Sequence, residues 1–405
     1  MHSKIALVLA ALLLTASPAH AACAYKNTVP VKGYFAAFPA WKVIAESMKE
    51  CGNFTAELDQ EIRSKGAPAL AVNPALYHIE NVHNGTIVPL LTQKTIRPLD
   101  DLVAKYGQKL RPNQLIKVDG KIMAVALFVN LQHLQYRKDI FDKLGIPVPQ
   151  TYDEVLAAAE KIKNAKVVQY PFGGTFKSDW NIGIEFNNFF TGYGGVYVDA
   201  DNNPKINSEA GIKALEMMKK LTAFMDPEYL TADATFVQQQ FQQEKIAFSN
   251  FWASRAGNLE NVKESRVAGK MATAAAPRAV KGGVPAVQYS WDGWAIAKNI
   301  TDAEAEAAFR VAVEGANADM VGKNNDVAVW LIDGFKPSAV AKGAIDTIEN
   351  GAPSAPSTVW RGFIDGAISK NVPDYLLGKK SAVETLQKIE ADYRVSAKEA
   401  GLLKS

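Results

Sequence analysis

Between Val118 and Glu154 the chain carries Val118-Asp119-Gly120-Lys121, then Asn130, then Leu134-Gln135-Tyr136-Arg137-Lys138-Asp139-Ile140-Phe141-Asp142-Lys143-Leu144-Gly145-Ile146-Pro147, then Thr151-Tyr152-Asp153-Glu154. Asp119-Gly120 lies between Leu115-Ile116-Lys117-Val118 and Ile122-Met123-Ala124-Val125. It predicts a hairpin, because that dipeptide tolerates the positive φ angles of a tight turn. A helix is expected to begin at Lys138-Asp139 and to stop at Leu144-Gly145-Ile146-Pro147. The next one opens at Thr151, whose hydroxyl can accept from an early amide while Glu154 reaches back. Strand and helix signals thus alternate, and the class they predict is α/β.

The same alternation extends to both sides. Thr301-Asp302-Ala303-Glu304 and Ser381-Ala382-Val383-Glu384 repeat the capping box, and Leu386, Ile389 and Tyr393 share a helix face behind the latter. Ser208 begins a further helix with Ile212, Leu215, Met218 and Leu221 spaced for burial. Ile246-Ala247-Phe248 and Ala295-Ile296-Ala297 are short apolar runs of the buried-strand type. The chain shows no repeat of fixed period and no low-complexity block, which argues against a solenoid.

At 405 residues and 48% hydrophobic content, the chain can form two domains with separate cores. The formal charge is +3. Without Lys4 the balance is 44 basic against 42 acidic residues, or +2, which gives no reason to expect nucleic acid. Met1-His2-Ser3-Lys4, the apolar run Ile5 to Leu14 and the small residues up to Ala22 form an expected secretory leader over residues 1–22. Its apolar run is short of the roughly 20 residues that a membrane helix needs, and no other stretch reaches that length. The expected mature protein is soluble and periplasmic. Lipid anchoring at Cys23 is disfavoured, since His20 stands where such signals usually carry an aliphatic residue. In an oxidising compartment Cys23 and Cys51 favour a disulfide, with two unpaired thiols as the alternative. Neither has an obvious base nearby to make it a nucleophile.

The segment from Val118 to Glu154 resembles the extracellular solute-binding proteins of the maltose-binding kind, which serve ATP-driven importers. Three further segments resemble that family in the same order: Phe241-Gln242-Gln243-Glu244-Lys245-Ile246-Ala247-Phe248-Ser249-Asn250-Phe251-Trp252, Ser290-Trp291-Asp292-Gly293-Trp294-Ala295-Ile296-Ala297-Lys298-Asn299, and Tyr393 to Ala400. The likeness covers most of the chain from about Pro98 onward. It implies a two-lobed periplasmic-binding-protein fold of the type II-like kind, in which discontinuous lobes joined by a hinge close on a ligand cleft. The implied lobes are 23–129 with 291–334 and 130–290 with 335–405. Crossings are expected near Val129-Asn130, Tyr289-Ser290-Trp291 and Asp333-Gly334-Phe335. The implied function is capture of a small solute without chemical change, and so without cofactor. The implied partners are two permease subunits with their cytoplasmic ATPases, and the receptor itself is expected to be a monomer. The departure from the family pattern is Lys32 to Gly66, which reads as compressed, with Gly52-Asn53 breaking the helix after Cys51.

A sugar offers hydroxyls at its rim and C–H bonds on its face, so its receptor needs hydrogen-bonding forks beside aromatic plates. Seven tryptophans are present. Trp252 matches the family's stacking position, and Trp360 follows Pro353-Ser354-Ala355-Pro356 as a stacking aromatic does in similar proteins. Trp180 and Trp41 are further candidates, each with a core position as the competing explanation. Strand alternation sends Asp292 and Trp294 to one face and Trp291 to the other, so only one of the two tryptophans need touch ligand. Asn130 corresponds to a cleft position that carries a carboxylate in the maltose receptor. Asn73, Arg255, Asp292 and Arg361 are the remaining polar candidates, against a solvated-surface alternative. Arg255, Arg361 or Arg97 could instead bind an anion such as glycerol-phosphate or a sulfo-sugar. Aromatic walls could hold a polyamine. A secreted carbohydrate-active enzyme would need two facing carboxylates, and Asp100-Asp101 and Asp153-Glu154 are already explained by turn and cap chemistry. His78, His83 and His133 lack metal-ligand spacing, and no phosphate-binding glycine loop is present.

Overall fold

The computed structural model of the chain describes residues 23–403. The leader expected over residues 1–22 lies outside them. In chain order the first stretch contains β1 (Asn27–Ala36), α1 (Pro39–Lys49), β2 (Gly52–Asp59), α2 (Ile62–Ala71), β3 (Ile79–His83), α3 (Ile87–Thr92), α4 (Asp100–Tyr106), β4 (Leu115–Val118) and β5 (Lys121–Asn130). The middle stretch contains β6 (Gln132–Arg137), α5 (Lys138–Leu144), α6 (Tyr152–Ala165), β7 (Tyr170–Gly173), α7 (Trp180–Gly192), α8 (Glu209–Thr222), α9 (Ala234–Gln242), β8 (Ile246–Trp252), α10 (Ala253–Leu259) and β9 (Met271–Ala274). Then come β10 (Ser290–Ile296), α11 (Asp302–Gly315), α12 (Ala318–Lys323), β11 (Val329–Trp330), α13 (Ala339–Glu349), α14 (Val359–Leu376) and α15 (Ala382–Glu399).

These strands form two separate sheets. One has seven strands in the order β11, β5, β10, β3, β1, β2, with β4 also paired to β5; the other has four in the order β7, β8, β6, β9. The chain leaves the larger sheet at the end of β5, returns to it at β10, and leaves again after β11 for α13. The crossing segments share a small apolar core of their own, in which Val129, Leu131, Ala276, Val287, Val329, Ala341 and Ala344 pack together. Behind the larger sheet α1 and α11 cover one face around Trp41, Phe128, Trp294 and Phe309, while α2 and α3 cover the other around Leu70, Val82, Leu90 and Trp291. The smaller sheet packs Leu134, Phe172 and Phe248 against the helices that carry Phe186, Ile364, Leu386 and Tyr393.

Local chemistry sets these boundaries. The β4–β5 hairpin turns at Asp119 (φ 49°) and Gly120 (φ 77°), as the Asp-Gly signal requires. Capping boxes form at Thr151 with Glu154, Thr301 with Glu304 and Ser381 with Glu384, and the Ser208 side chain accepts from Gly211 N–H. The compressed reading of Lys32 to Gly66 is corrected: that stretch forms a complete strand, helix, strand and helix. Gly52 (φ 116°) both follows the helix end and begins β2, which pairs in parallel with β1 from Val31↔Phe54 to Ala36↔Asp59. Helix breaker and strand start are one residue, which is why the segment looked short.

Cys23 and Cys51 form a disulfide, and both side chains are buried. Tyr25 then lies under the Arg310 guanidinium, 4.0 Å from its ring centre, so the segment is fastened to α11 as well. The bridge closes a sequence separation of 28 residues, which in the chain-entropy account contributes about 3–4 kcal/mol. The Cys23→Ser, Cys51→Ser double variant should lose stability of that order in urea unfolding. A loss below about 1 kcal/mol would show that the Tyr25 and Arg310 contact holds the segment alone.

Two carboxyl groups are buried without a cation. Glu80, on β3, sits so close beneath α2 that a Cβ at Gly66 would lie 2.1 Å from its Oε1, and burial pushes it up to about 8. Glu185, on α7, is pushed up to about 7 by burial, partly opposed by hydrogen bonds from Thr175 and Gln132. For an acid raised in this way the folded state holds its proton longer than the unfolded chain. Its full stability contribution is therefore present below the unfolded value near 4.5 and is lost as pH rises through 7. Glu185→Gln should shrink the fall in unfolding free energy between pH 5 and pH 8 by up to about 3 kcal/mol. An identical fall in both proteins would mean that Glu185 is already charged in the folded state at pH 5.

Candidate functional site

In the larger sheet β1, β2 and β3 run parallel, while β10 and β5 are arranged so that Asp292 pairs with His83 and Phe128, and Ser290 pairs with Asn130. One end of the sheet therefore collects the C-terminal ends of β1, β2, β3 and β5, the start of β10 and the starts of α1 and α2. Open α/β sheets place ligands outside the carboxyl ends of their strands. The side chains assembled there are Trp41, Arg63, His83, Asn130 and Asp292. From the other sheet the starts of α7 and α14 supply Asp179, Trp180, Trp360, Arg361 and Asp365, and α14 touches α3.

On the first rim, burial pushes the Asp292 carboxyl up to about 7, while Arg63 and the indole of Trp41 pull it back. The Trp41 N–H is buried beside it without a well-formed hydrogen bond of its own. His83 Nδ1 accepts from Gly85 N–H at 3.0 Å, so the ring proton belongs on Nε2, which is buried and has no protein partner. Burial first, and then the charge of Arg63, hold His83 well below its usual value, so the ring is neutral. Arg63 is exposed by surface, yet its guanidinium lies 4.5 Å from the ring centre of Trp180 on the opposite rim. Surrounding protein lowers its basicity, and the charges of Asp292, Asp365 and Asp179 oppose that.

On the second rim, Trp360 stacks on Tyr197 with ring centres 5.5 Å apart and planes at 29°. Arg361 Nε donates to both oxygens of Asp365 at 2.7 and 2.8 Å, and its guanidinium lies 5.0 Å from the Tyr197 ring. Burial works against that charge, but Asp365 and Tyr197 offset it and the net shift is upward. Asn187 Nδ2 also donates to Asp365, at 2.8 Å. What remains is a buried donor, Arg361 Nη1, and a buried acceptor, Asn187 Oδ1, neither with a protein partner. Such a pair is costly if left empty and matches a hydroxyl, which can both accept and donate.

A buried polar network supports this rim from below. Gln132 Nε2 donates to Glu185 Oε1 at 2.9 Å and to Thr175 Oγ1 at 3.0 Å, and Asn188 Nδ2 donates to Gln132 Oε1 at 2.7 Å. Gln288 N–H donates to Asn188 Oδ1 at 3.0 Å, and its side chain donates to Thr191 Oγ1 at 2.8 Å and Tyr197 Oη at 3.2 Å. Gln132 belongs to the first crossing and Gln288 to the second, so both crossings are tied to the ring on which Trp360 rests.

Several expected site residues fall elsewhere. Trp41 is not a plate for ligand: its ring is fully buried, 4.9 Å from Phe35 and 5.9 Å from Phe128, and only its N–H serves the rim. Trp291 is buried among Leu70 and Ala126 on the α2 side, and Trp294 packs edge-on to Phe309 on the other. Asn73 stands past the end of α2, ten residues and about 15 Å of helix from Arg63. That is the wrong end of the sheet. Arg97 lies at the same far end, with its backbone bonded to Ile296 and its side chain paired to Asp302 at 2.8 Å. Arg255 is spent on Gln238 and Thr235 of α9. Trp252 and Asn130 do sit at the crossing. Trp252 is half-buried with an unpartnered N–H, and Asn130 Oδ1 accepts from Ser254 N–H at 3.3 Å. Trp180 keeps 43% of its surface exposed, and Trp360 and Arg361 are placed as above.

Arg63, His83, Asp179, Asn187, Tyr197 and Asp365 were missed. Asp365 could have been found from its i+4 spacing to Arg361, and Asp179 from its N-cap position before Trp180. A surface depression of about 700 Å³ lies away from this cleft on the outer side of α8 and α15, lined by Tyr193, Lys205, Glu390 and Arg394. Its wide mouth and its mostly polar and charged lining suit bulk solvent. Among the described residues no three metal-ligating side chains cluster, and no helix is long and apolar enough to cross a membrane.

A solute-binding protein of Agrobacterium radiobacter in complex with ribitol superposes with a TM-score of 0.80 at 21% identity, over 92% of this chain and all of that one. A maltose-bound protein of T. maritima gives 0.77 at 18% identity, over 91% of this chain and 99% of that one. A solute-binding protein of Agrobacterium vitis with D-mannitol gives 0.74 at 19% identity, over 92% and 99%. These likenesses establish the two-lobed fold. A probable ABC transporter-binding protein of Deinococcus radiodurans is 30% identical over 45% of this chain and 44% of its own length. A probable sugar-binding periplasmic protein of Mesorhizobium japonicum is 27% identical over 28% of each chain. The matched stretches thus span less than half the length of these curated relatives. The pattern that defines the bacterial extracellular solute-binding proteins matches residues 79–360, more than two thirds of the sequence, and the chain belongs to that family.

Proposed function

We propose that this chain is the periplasmic receptor of an ATP-driven importer and that it captures a sugar or sugar alcohol, which it passes on unaltered to membrane permease subunits. Its lobes are residues 23–129 with 291–334 and residues 130–290 with 335–405, and it works as a monomer. The observation that carries the reading is the Tyr197–Trp360 plate beside the unpartnered Arg361 Nη1 and Asn187 Oδ1. A polyhydroxylated solute covers the plate with its C–H face and fills the donor and acceptor with one hydroxyl. His83 Nε2, buried without a partner on the opposite rim, is assigned as a second donor. Ribitol, mannitol and maltose bound to proteins of like fold support the same ligand class.

Isothermal titration with ribitol, mannitol and maltose tests this. At least one should bind, and it should be recovered chemically intact after incubation. Trp360→Ala should weaken that binding by about 1–3 kcal/mol, the combined worth of stacking and lost apolar contact. Binding of spermidine or glycerol-phosphate in preference to every neutral probe would sink the sugar assignment.

A further inference from the structure

The surroundings of Arg63 are those of a cation site already filled by the protein. Its guanidinium lies over the face of Trp180, where the electron-rich ring attracts positive charge. Three carboxyl groups act on its charge through space, without direct ion pairs: Asp292 from its own rim, and Asp179 and Asp365 from the other. Asp179 caps the helix that Trp180 begins, so carboxylate and indole are fixed together. The other cleft arginine is committed to Asp365 through both carboxylate oxygens. The carboxyl groups of Asp292, Asp179 and Asp365 around Arg63 disfavour a phosphate, sulfonate or carboxylate ligand, and an incoming amine would find its place over Trp180 taken.

We propose, resting on the receptor reading above, that Arg63 is the residue that sets the charge class of the ligand: it occupies the indole and carboxylate box, restricts the cleft to uncharged polyols, and donates to their hydroxyls. Removing its charge leaves Trp180 and the carboxylates as a site for an organic cation. The same substitution removes a donor that a neutral ligand uses. One residue then shifts preference in two opposite directions, which a merely structural role would not do.

The test titrates wild type, Arg63→Ala and Arg63→Gln with three probes, ribitol, choline and glycerol-phosphate, after checking by near-ultraviolet circular dichroism that each variant is folded. Wild type should bind ribitol alone. Both variants should lose at least tenfold in ribitol affinity and gain choline binding, stronger in Arg63→Ala, and adding Trp180→Ala should abolish the gain. Wild-type binding of choline or glycerol-phosphate overturns the assignment, and so do folded variants that bind no choline. If wild type ignores ribitol, mannitol and maltose alike while Arg63→Ala takes up choline, the role of Arg63 stands and the polyol reading falls.

Discussion

Everything at the cleft depends on how three strands pass between two sheets. The chain crosses after Asn130, before Ser290 and after Trp330, and the crossings meet in an apolar cluster around Val129, Leu131, Val287 and Val329. Small residues dominate its helix side, with Ala341 and Ala344 on α13 and Ala276 before β10. Such a core resists separation of the strands while offering few interlocking side chains against rotation. It suits hinge motion better than the aromatic cores of the two lobes, whose Phe and Trp rings interdigitate and transmit force without yielding.

The polar network beneath the second rim converts that geometry into recognition. Gln132 and Gln288 lie on different crossings and both make hydrogen bonds to α7, one with Glu185 and Asn188, the other with Asn188 and Thr191, and Gln288 also donates to Tyr197 beyond the end of that helix. Tyr197 in turn carries Trp360 and lies beneath Arg361. A rotation at the crossings must therefore disturb the plate or carry it along. A fully bonded network favours carrying it along, because breaking a buried hydrogen bond leaves a desolvated partner behind.

The fold was legible in the sequence where local chemistry decides it. Asp119-Gly120 set the hairpin and Thr151, Thr301 and Ser381 set helix starts, because each signal lies within four residues of the structure it creates. Trp360, Trp180, Asp292 and Arg361 could be placed at strand and helix ends for a related reason, each lying in or beside a segment whose element was readable. Arg63 and Tyr197 were not. Their roles exist only because strands far apart in sequence end at one edge, and neither carries a spacing that announces it. Trp41 and Trp291 show the opposite failure: an indole beside a strand end is as useful to a core as to a ligand, and only the packing of Phe35, Phe128 and Leu70 decides which. Asn73 and Arg97 failed on direction, since α2 runs antiparallel to its strands and carries its own C-terminal end away from the cleft.

The proposed affinity for a polyol then follows from where the unsatisfied groups are kept. His83 Nε2 belongs to one lobe, and Arg361 Nη1 and Asn187 Oδ1 to the other. Each carries the cost of a buried polar atom without a partner, on the order of 1–3 kcal/mol. Water can relieve that cost while the lobes stand apart. On the proposed closure around a polyol, a solute with hydroxyls at the right places would relieve all three together. A solute lacking one of them leaves a desolvated group behind, so discrimination rests on unmet hydrogen bonds more than on apolar contact. The stacked plate adds area that any ring or chain of C–H groups can use, so the proposed reading assigns selectivity among polyols to the orphaned atoms.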